Sequence, residues 1–213
     1  MKTLTKEMQA AITPKQALEL LKTGNQRFVD NLKINRNLLQ QANETSDGQH
    51  PFAVILSCID SRTSAELIFD QGLGDIFSVR IAGNILNEDI LGSMEFGCKV
   101  AGSKIIVVLG HTKCGAVKGA CDHVEMGHLT ALLSKIQPAV NAETATTENR
   151  NSGNETFVEN VSTLNVKRTV IGIMEQSPIL REMIERGQIG IVGGTHDITT
   201  GEVAFYPETF KAG

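Results

Sequence analysis

Short runs of consecutive apolar residues alternate along this chain with longer stretches whose apolar positions recur every three or four residues, a pattern that predicts strands and helices in turn. The first helical stretch covers residues 14–32, with Ala17, Leu20, Leu21, Phe28 and Leu32 at close to helical spacing. Thr13 is placed as its N-cap and Pro14 suits its first turn, while Gly24 marks a candidate break. A polar stretch ending in ETSDGQHP then leads into FAVILS, residues 52–57, the kind of run shown by a strand buried on both faces.

The alternation continues. A helical stretch near 63–70 precedes the strand IFSVRIA at 76–82, a helix runs through EDILGSMEFGCKVAG at 88–102, and the apolar strand KIIVVLG follows at 104–110. Residues 115–137 and 155–186 read as helical, and between them NAETATTENRNSGNE, residues 141–155, has the composition of a solvated loop or insertion. GQIGIVGGTHDITTGEVAFY, residues 187–206, closes as strand, turn and strand, and no segment repeats another.

Strands alternating with helices imply parallel strands joined by crossovers. The expected fold class is therefore α/β: an open, mostly parallel central sheet of four or five strands flanked by helices. One domain is expected over 1–213, with an N-terminal helical arm over about 1–48 and an α/β core over about 50–213. In such sheets ligands collect beyond the C-terminal strand ends, where the strand order reverses.

Composition narrows the function classes. The hydrophobic fraction of 41% and charged fraction of 21% are those of a globular protein, and a net charge of −4 offers no basic surface for nucleic acid. No stretch approaches the roughly 20 apolar residues of a membrane span. The opening MKTLTKEMQAAITPKQALELL lacks the compact apolar run and cleavage site of a secretory signal, so the expected location is cytoplasmic, without nucleic-acid or membrane partners. In a reducing compartment Cys58, Cys98, Cys114 and Cys121 are core residues, catalytic thiols or metal ligands rather than disulfides.

The chemistry concentrates in two short motifs, CIDSR at 58–62 directly after one apolar run and HTKC at 111–114 directly after another. Zinc takes thiolate and imidazole ligands tetrahedrally, and catalytic sites use three protein ligands and leave the fourth position to water. Cys58, His111 and Cys114 form such a set. In an extended segment positions 58, 60 and 62 point the same way. Arg62 can then grip Asp60 in a two-pronged ion pair that keeps it ionised and away from the metal. Taken singly, each feature has an ordinary reading as a packed cysteine, a surface ion pair or a strand-to-helix turn. Together they put five chemically matched residues at two strand ends.

With these motifs in place, Cys58-x-Asp60-x-Arg62 and Gly110-His111-x-x-Cys114-Gly115, the chain resembles the β-class carbonic anhydrases from about LLKTGNQRF to GGTHDITTGEV. The resemblance implies a lyase: zinc-dependent, reversible hydration of carbon dioxide to bicarbonate and a proton by a zinc-bound hydroxide, with one Zn2+ per chain held by Cys58, His111 and Cys114. It implies Asp60 and Arg62 as the catalytic orienting pair and a substrate pocket at Gln49, Phe77, Phe96 and Gly115. It also implies a homodimer or homotetramer, since Gln49 and Phe77 reach across a subunit interface in the family and the N-terminal helices commonly wrap the partner.

The chain departs from the family pattern at Glu95-Phe96 and His196-Asp197, where many relatives carry a tyrosine at the Phe96 and His196 positions. It also lacks the tryptophan of the bicarbonate-inhibited branch, which leads to the expectation that Asp60 stays paired with Arg62 at neutral pH. His50, His123, His128 and His196 are the candidate proton shuttles, and Cys98 and Cys121 read as packing residues. Two alternatives stay open: hydrolysis of carbon disulfide or carbonyl sulfide on the same zinc, and a non-catalytic zinc- or bicarbonate-binding protein.

Overall fold

The computed structural model describes residues 3–213. The strands among these residues are β1 (Ala53–Ser57), β2 (Ile76–Arg80), β3 (Ile105–His111), β4 (Gly190–His196) and β5 (Val203–Lys211). They form one five-stranded sheet in the order β2-β1-β3-β4-β5, with β1 to β4 parallel and β5 antiparallel to β4. β2 lies on one side of β1 and β3 on the other, so the strand order reverses between β1 and β3. This is the point at which an open α/β sheet offers a crevice.

Both faces of the sheet are covered, which is why its central strands are apolar without alternation. On one face Val54, Leu56, Ile106, Val108 and Ile191 pack beneath α5 (Glu88–Glu95), α9 (Glu155–Gln176) and α10 (Pro178–Glu185). On the other, Ala53, Ile55, Ile105, Val107 and Val192 pack against α2 (Pro14–Val29) and α4 (Ala65–Ile68).

The helix predicted from residue 14 starts as expected: Thr13 and Gln16 close a capping box and Pro14 opens the first turn. It is not broken at Gly24. That glycine lets the helix approach α4, because a Cβ there would stand 1.8 Å from the carbonyl oxygen of Phe69. α2 ends at Val29, and the following chain is tied back by Asp70, which is 3% exposed and takes Arg27 Nε and Arg36 Nη1, each at 2.5 Å. α1 (Lys6–Ala11) is fastened to its own chain by buried Gln9, whose Nε2 donates to the carbonyls of Pro51 at 2.7 Å and Ala101 at 2.8 Å. α3 (Leu38–Glu44) leaves Leu38 and Leu39 exposed.

Elsewhere the helices are more divided than the pattern predicts. The stretch 115–137 is not one helix; it comprises α6 (Gly115–Cys121), α7 (Gly127–Leu133) and the first residue of α8 (Gln137–Ala142), because His123 and Gly127 adopt positive φ and Pro138 restarts the chain as a helix. The predicted helix over 88–102 widens after α5 into a π-helical turn, Phe96–Val100. The polar segment 141–155 is not merely solvated. Buried Glu143 accepts from Thr146, from Arg150 Nη1 at 2.7 Å and from Asn160 Nδ2 at 3.1 Å, and the Arg150 guanidinium lies 4.6 Å from the centre of the Phe157 ring.

Candidate metal centre

β1 and β3 are neighbours, so their C-terminal ends bring the two motifs together. Cys58 Sγ and Cys114 Sγ are 4.0 Å apart, and these atoms with a ring nitrogen of His111 all lie within 4.8 Å of one another. All three residues are buried.

Each ligand is positioned by backbone constraints. The residues after β1 do not continue as an extended chain; residues 61–62 form a turn, so the alternate-position argument for residues 58, 60 and 62 does not apply. Asp60 instead folds back on Arg62, accepting at Oδ1 from the Arg62 backbone N and Nε, each at 2.9 Å, and at Oδ2 from Nη2 at 2.7 Å. Arg80 fixes this turn from β2, donating through Nε to the Cys58 carbonyl at 3.1 Å and through Nη2 to the Asp60 carbonyl at 2.7 Å. The expected Asp60–Arg62 pairing is thus present, by a turn rather than by strand alternation.

His111 closes β3 with Nδ1 2.9 Å from the Thr112 carbonyl, which assigns the ring proton to Nδ1 and leaves Nε2 as the free donor for a metal. Nε2 is buried and has no hydrogen-bond partner. Lys113 takes positive φ, its amide donates to Glu159 Oε1 of α9 at 2.8 Å, and Cys114 then sits at the N-cap of α6. The backbone N–H of Gly83, in the turn after β2, donates to Cys58 Sγ at 3.3 Å.

The electrostatics follow from these contacts. The Cys114 thiol, hydrogen-bonded to Cys58, pushes the Cys58 thiol down to about 4 against the opposing effect of burial, and Cys114 is pushed up by the same contact. The pair therefore releases one proton readily and holds the other, until a cation between the sulfurs takes both as thiolates. Arg62 holds Asp60 well below the usual carboxylate range. Burial lowers the His111 ring, but Cys58 and Asp60 turn the net shift upward. Two sulfurs and an orphaned imidazole nitrogen, converging and buried, are the donor set of a three-ligand zinc site.

Of the remaining predicted residues, Gly115 and His196 lie beside this cluster, and the others are not brought to it within one chain. Gln49 is exposed in the connection before β1. Phe77 pairs in register with Val54, four residues before Cys58, so it lies about 13 Å along the sheet from the cluster. Phe96 is 54% exposed and meets Phe77 edge-on, with ring centres 6.2 Å apart. Gly115 opens α6 beside Cys114. Of the four histidines, His123 and His128 are exposed on either side of the break between α6 and α7, and His50 is half-buried. His196 pairs in register with His111, is buried without a partner on either ring nitrogen, and is pushed down to about 4 by burial and by His111. Cys98 and Cys121 are buried thiols pushed up to about 12 and about 11, chiefly by burial. Sequence reasoning missed Arg80 and Glu159, whose side chains hold backbone groups of the two motifs, and Gly83, which acts through its own N–H; such contacts leave no motif.

Comparison with known proteins agrees with this geometry. A family model described as carbonic anhydrase matches residues 53–203. Carbonic anhydrase 2 of Mycobacterium tuberculosis is 36% identical over 200 residues, covering 88% of this chain and 90% of that one. The chain belongs to the β-carbonic anhydrase family. A carbonic anhydrase of Mycolicibacterium smegmatis is 32% identical over 196 residues, covering 89% of this chain and 92% of its own. Among solved structures, one of two tetrameric β-carbonic anhydrases from Sordaria macrospora superposes with a TM-score of 0.68 at 24% identity, covering 78% of this chain and 85% of that one. As a β-carbonic anhydrase the chain is a zinc-dependent lyase that hydrates carbon dioxide reversibly to bicarbonate and a proton. Among the described residues, no helix is long and apolar enough to cross a membrane.

Proposed function

We propose that Cys58, His111 and Cys114 hold the zinc ion of this enzyme and that Asp60 and Arg62 orient the nucleophile. The observation that carries the assignment is the convergence of the three donors at the β1 and β3 ends, with Asp60 Oδ2 3.9 Å from His111 Nε2. When bound, zinc supplies the Lewis acidity that ionises a water near neutral pH. The chain's own residues do the rest. Arg62 occupies both Asp60 oxygens, but Oδ2, 3.9 Å from His111 Nε2, takes a single bond and keeps acceptor capacity beside the cluster, where it would accept the O–H of the attacking water and fix its direction. Because Arg62 holds Asp60 ionised, the carboxylate accepts and does not donate throughout the neutral range.

The pocket is completed by a second copy of the chain. Phe77 lies on β2, an edge strand of the sheet, and with Phe96 it borders an open groove also lined by Arg80 and Ile90. Two copies meeting along this edge would bring Gln49 and Phe77 of each to the cluster of the other, Gln49 donating to the substrate oxygen that gains charge and Phe77 and Phe96 excluding water. Gly115 leaves the approach to the cluster open, since no atom lies within 4 Å of where its Cβ would be. A homodimer or homotetramer follows, and a cytoplasmic location accords with four unpaired cysteines.

The test is complementation. Gln49→Ala and Cys58→Ser proteins, each nearly inactive alone, are unfolded together and refolded, and carbon dioxide hydration is followed by stopped flow. Random pairing makes half the dimers mixed, each with one intact site, so about a quarter of wild-type activity returns. No recovery in a mixture shown to contain mixed dimers refutes the shared site.

A further inference from the structure

Two thiolates cancel the charge of a bound zinc ion, so a Cys2His site needs something to draw electron density off the sulfurs if the metal is to remain a strong Lewis acid. For Cys58 the protein supplies a backbone donor, the Gly83 N–H at 3.3 Å from Sγ. Gly83 holds φ +68, and a Cβ there would stand 2.6 Å from Ile136 Cδ1, so only glycine fits this turn without strain.

What holds the turn is α9. Asn165 is 4% exposed, in the middle of that helix, and its Nδ2 donates to the Gly83 carbonyl at 2.8 Å. One helical turn further on, buried Thr169 donates more weakly to the Asn84 carbonyl at 3.4 Å. The Asn84 amide closes the turn onto the Ile81 carbonyl at 3.0 Å. Once these bonds are made, the Gly83 N–H is directed at the sulfur. A polar side chain buried in a helix costs free energy unless it is fully used. Asn165 is used on the carbonyl of the residue whose N–H donates to the Cys58 sulfur.

We propose that Asn165 is a positioning residue for the metal centre: by anchoring Gly83 it keeps the N–H···Sγ bond to Cys58 and so sets how strongly that sulfur donates to the metal. The inference rests on the assignment of Cys58, His111 and Cys114 as ligands. A side chain that orients the groups around a ligand typically changes metal affinity by roughly 10- to 100-fold when removed.

The test uses the full-length protein with Co2+ in place of zinc, whose sulfur-to-metal charge-transfer band reports thiolate donation without any need for turnover. Asn165→Leu, close in volume and unable to donate, is expected to shift the band to longer wavelength, because the freed Cys58 sulfur donates more strongly, and to change metal retention against a chelator by about tenfold. Asn165→Ala is expected to give the same shift if the leucine variant does not fold. Ile173→Ala, a cavity on the same helix two turns away and outside the cluster that holds Cys58 and Cys114, is the control: it lowers thermal stability and leaves the band in place. A folded Asn165 variant with an unmoved band overturns the proposal, as does an equal shift in Ile173→Ala. If the wild-type protein binds cobalt without any sulfur-to-metal band, the ligand assignment itself falls instead.

Discussion

The Asp60–Arg62 pair gives the sharpest prediction. Replacing Asp60 by asparagine keeps the shape and removes the charge. Arg62 presents three donors, two to Oδ1 at 2.9 Å and one to Oδ2 at 2.7 Å. With the oxygen of the introduced amide at the Oδ1 position, its NH2 faces Nη2 donor to donor and offers the nucleophile a hydrogen where an acceptor is needed. The Arg62 side chain is 55% exposed, so water can satisfy its displaced donors and the loss falls on the orientation of the nucleophile. Groups that orient a metal's surroundings typically cost roughly 10- to 100-fold in activity when removed, and a fall of that size in kcat/KM is expected. Stopped-flow hydration at pH 8, with zinc content and circular dichroism measured on the same sample, decides it. A folded, zinc-replete Asp60→Asn protein that keeps more than a third of wild-type kcat/KM refutes the orienting role. Arg62→Ala separates orientation from charge: the freed carboxylate, already 3.9 Å from His111 Nε2, can turn onto the open position, so hydration falls while zinc is held against a chelator for longer.

Other consequences are open to direct measurement. Stripping the metal leaves His111 Nε2 buried without a partner, so calorimetry is expected to show a lower Tm that recovers on adding zinc; an unchanged Tm would argue against a metal at this cluster. Asp70→Ala leaves Arg36, whose side chain is 6% exposed, without its carboxylate, at a cost of about 3–5 kcal/mol. That corresponds to a Tm drop of roughly 6–20 °C in a protein of this size. Burial pushes the Asp70 carboxyl up, but Arg27 and Arg36 outweigh it and the net shift is downward. The stabilisation is therefore complete above the ordinary carboxylate value and is lost as pH falls through the lower folded value, so the Tm gap to Asp70→Ala should hold to about pH 4 and close below it. Gly24→Ala, favourable by about 1 kcal/mol in an open helix, should destabilise here, because the Phe69 carbonyl must move; a raised Tm would refute the close approach.

The parallel sheet was legible because its strands are buried on both faces and so read as unbroken apolar runs: FAVILS and KIIVVLG needed no partner to be recognised. Helix interruptions were harder to see. Gly24 looked like a break because glycine is a poor helix former, but its reason is a neighbour distant in the chain, the Phe69 carbonyl that closes α4. The division of 115–137 rests on positive φ at His123 and Gly127 and on Pro138, and the first break, at His123, is the one that glycine and proline do not announce. The segment 141–155 looked solvated because its residues are polar, yet Glu143 and Arg150 satisfy one another and are drawn inward.

For the site, the sequence held the ligands and not their geometry. Cysteine, histidine and aspartate at strand ends can be recognised one at a time, since each carries its chemistry in its side chain. The groups that aim them do not: Arg80 holds two carbonyls, Glu159 one amide, and Asn165 the carbonyl of a glycine, all by contacts between residues 20 to 82 positions apart. A motif records which atoms bind. How strongly they donate is set by the backbone around them, and here that backbone is held by a helix whose polar residues carry no catalytic signature. If the cobalt band moves when Asn165 is changed, part of the reactivity of this centre is written in α9, far along the chain from either motif.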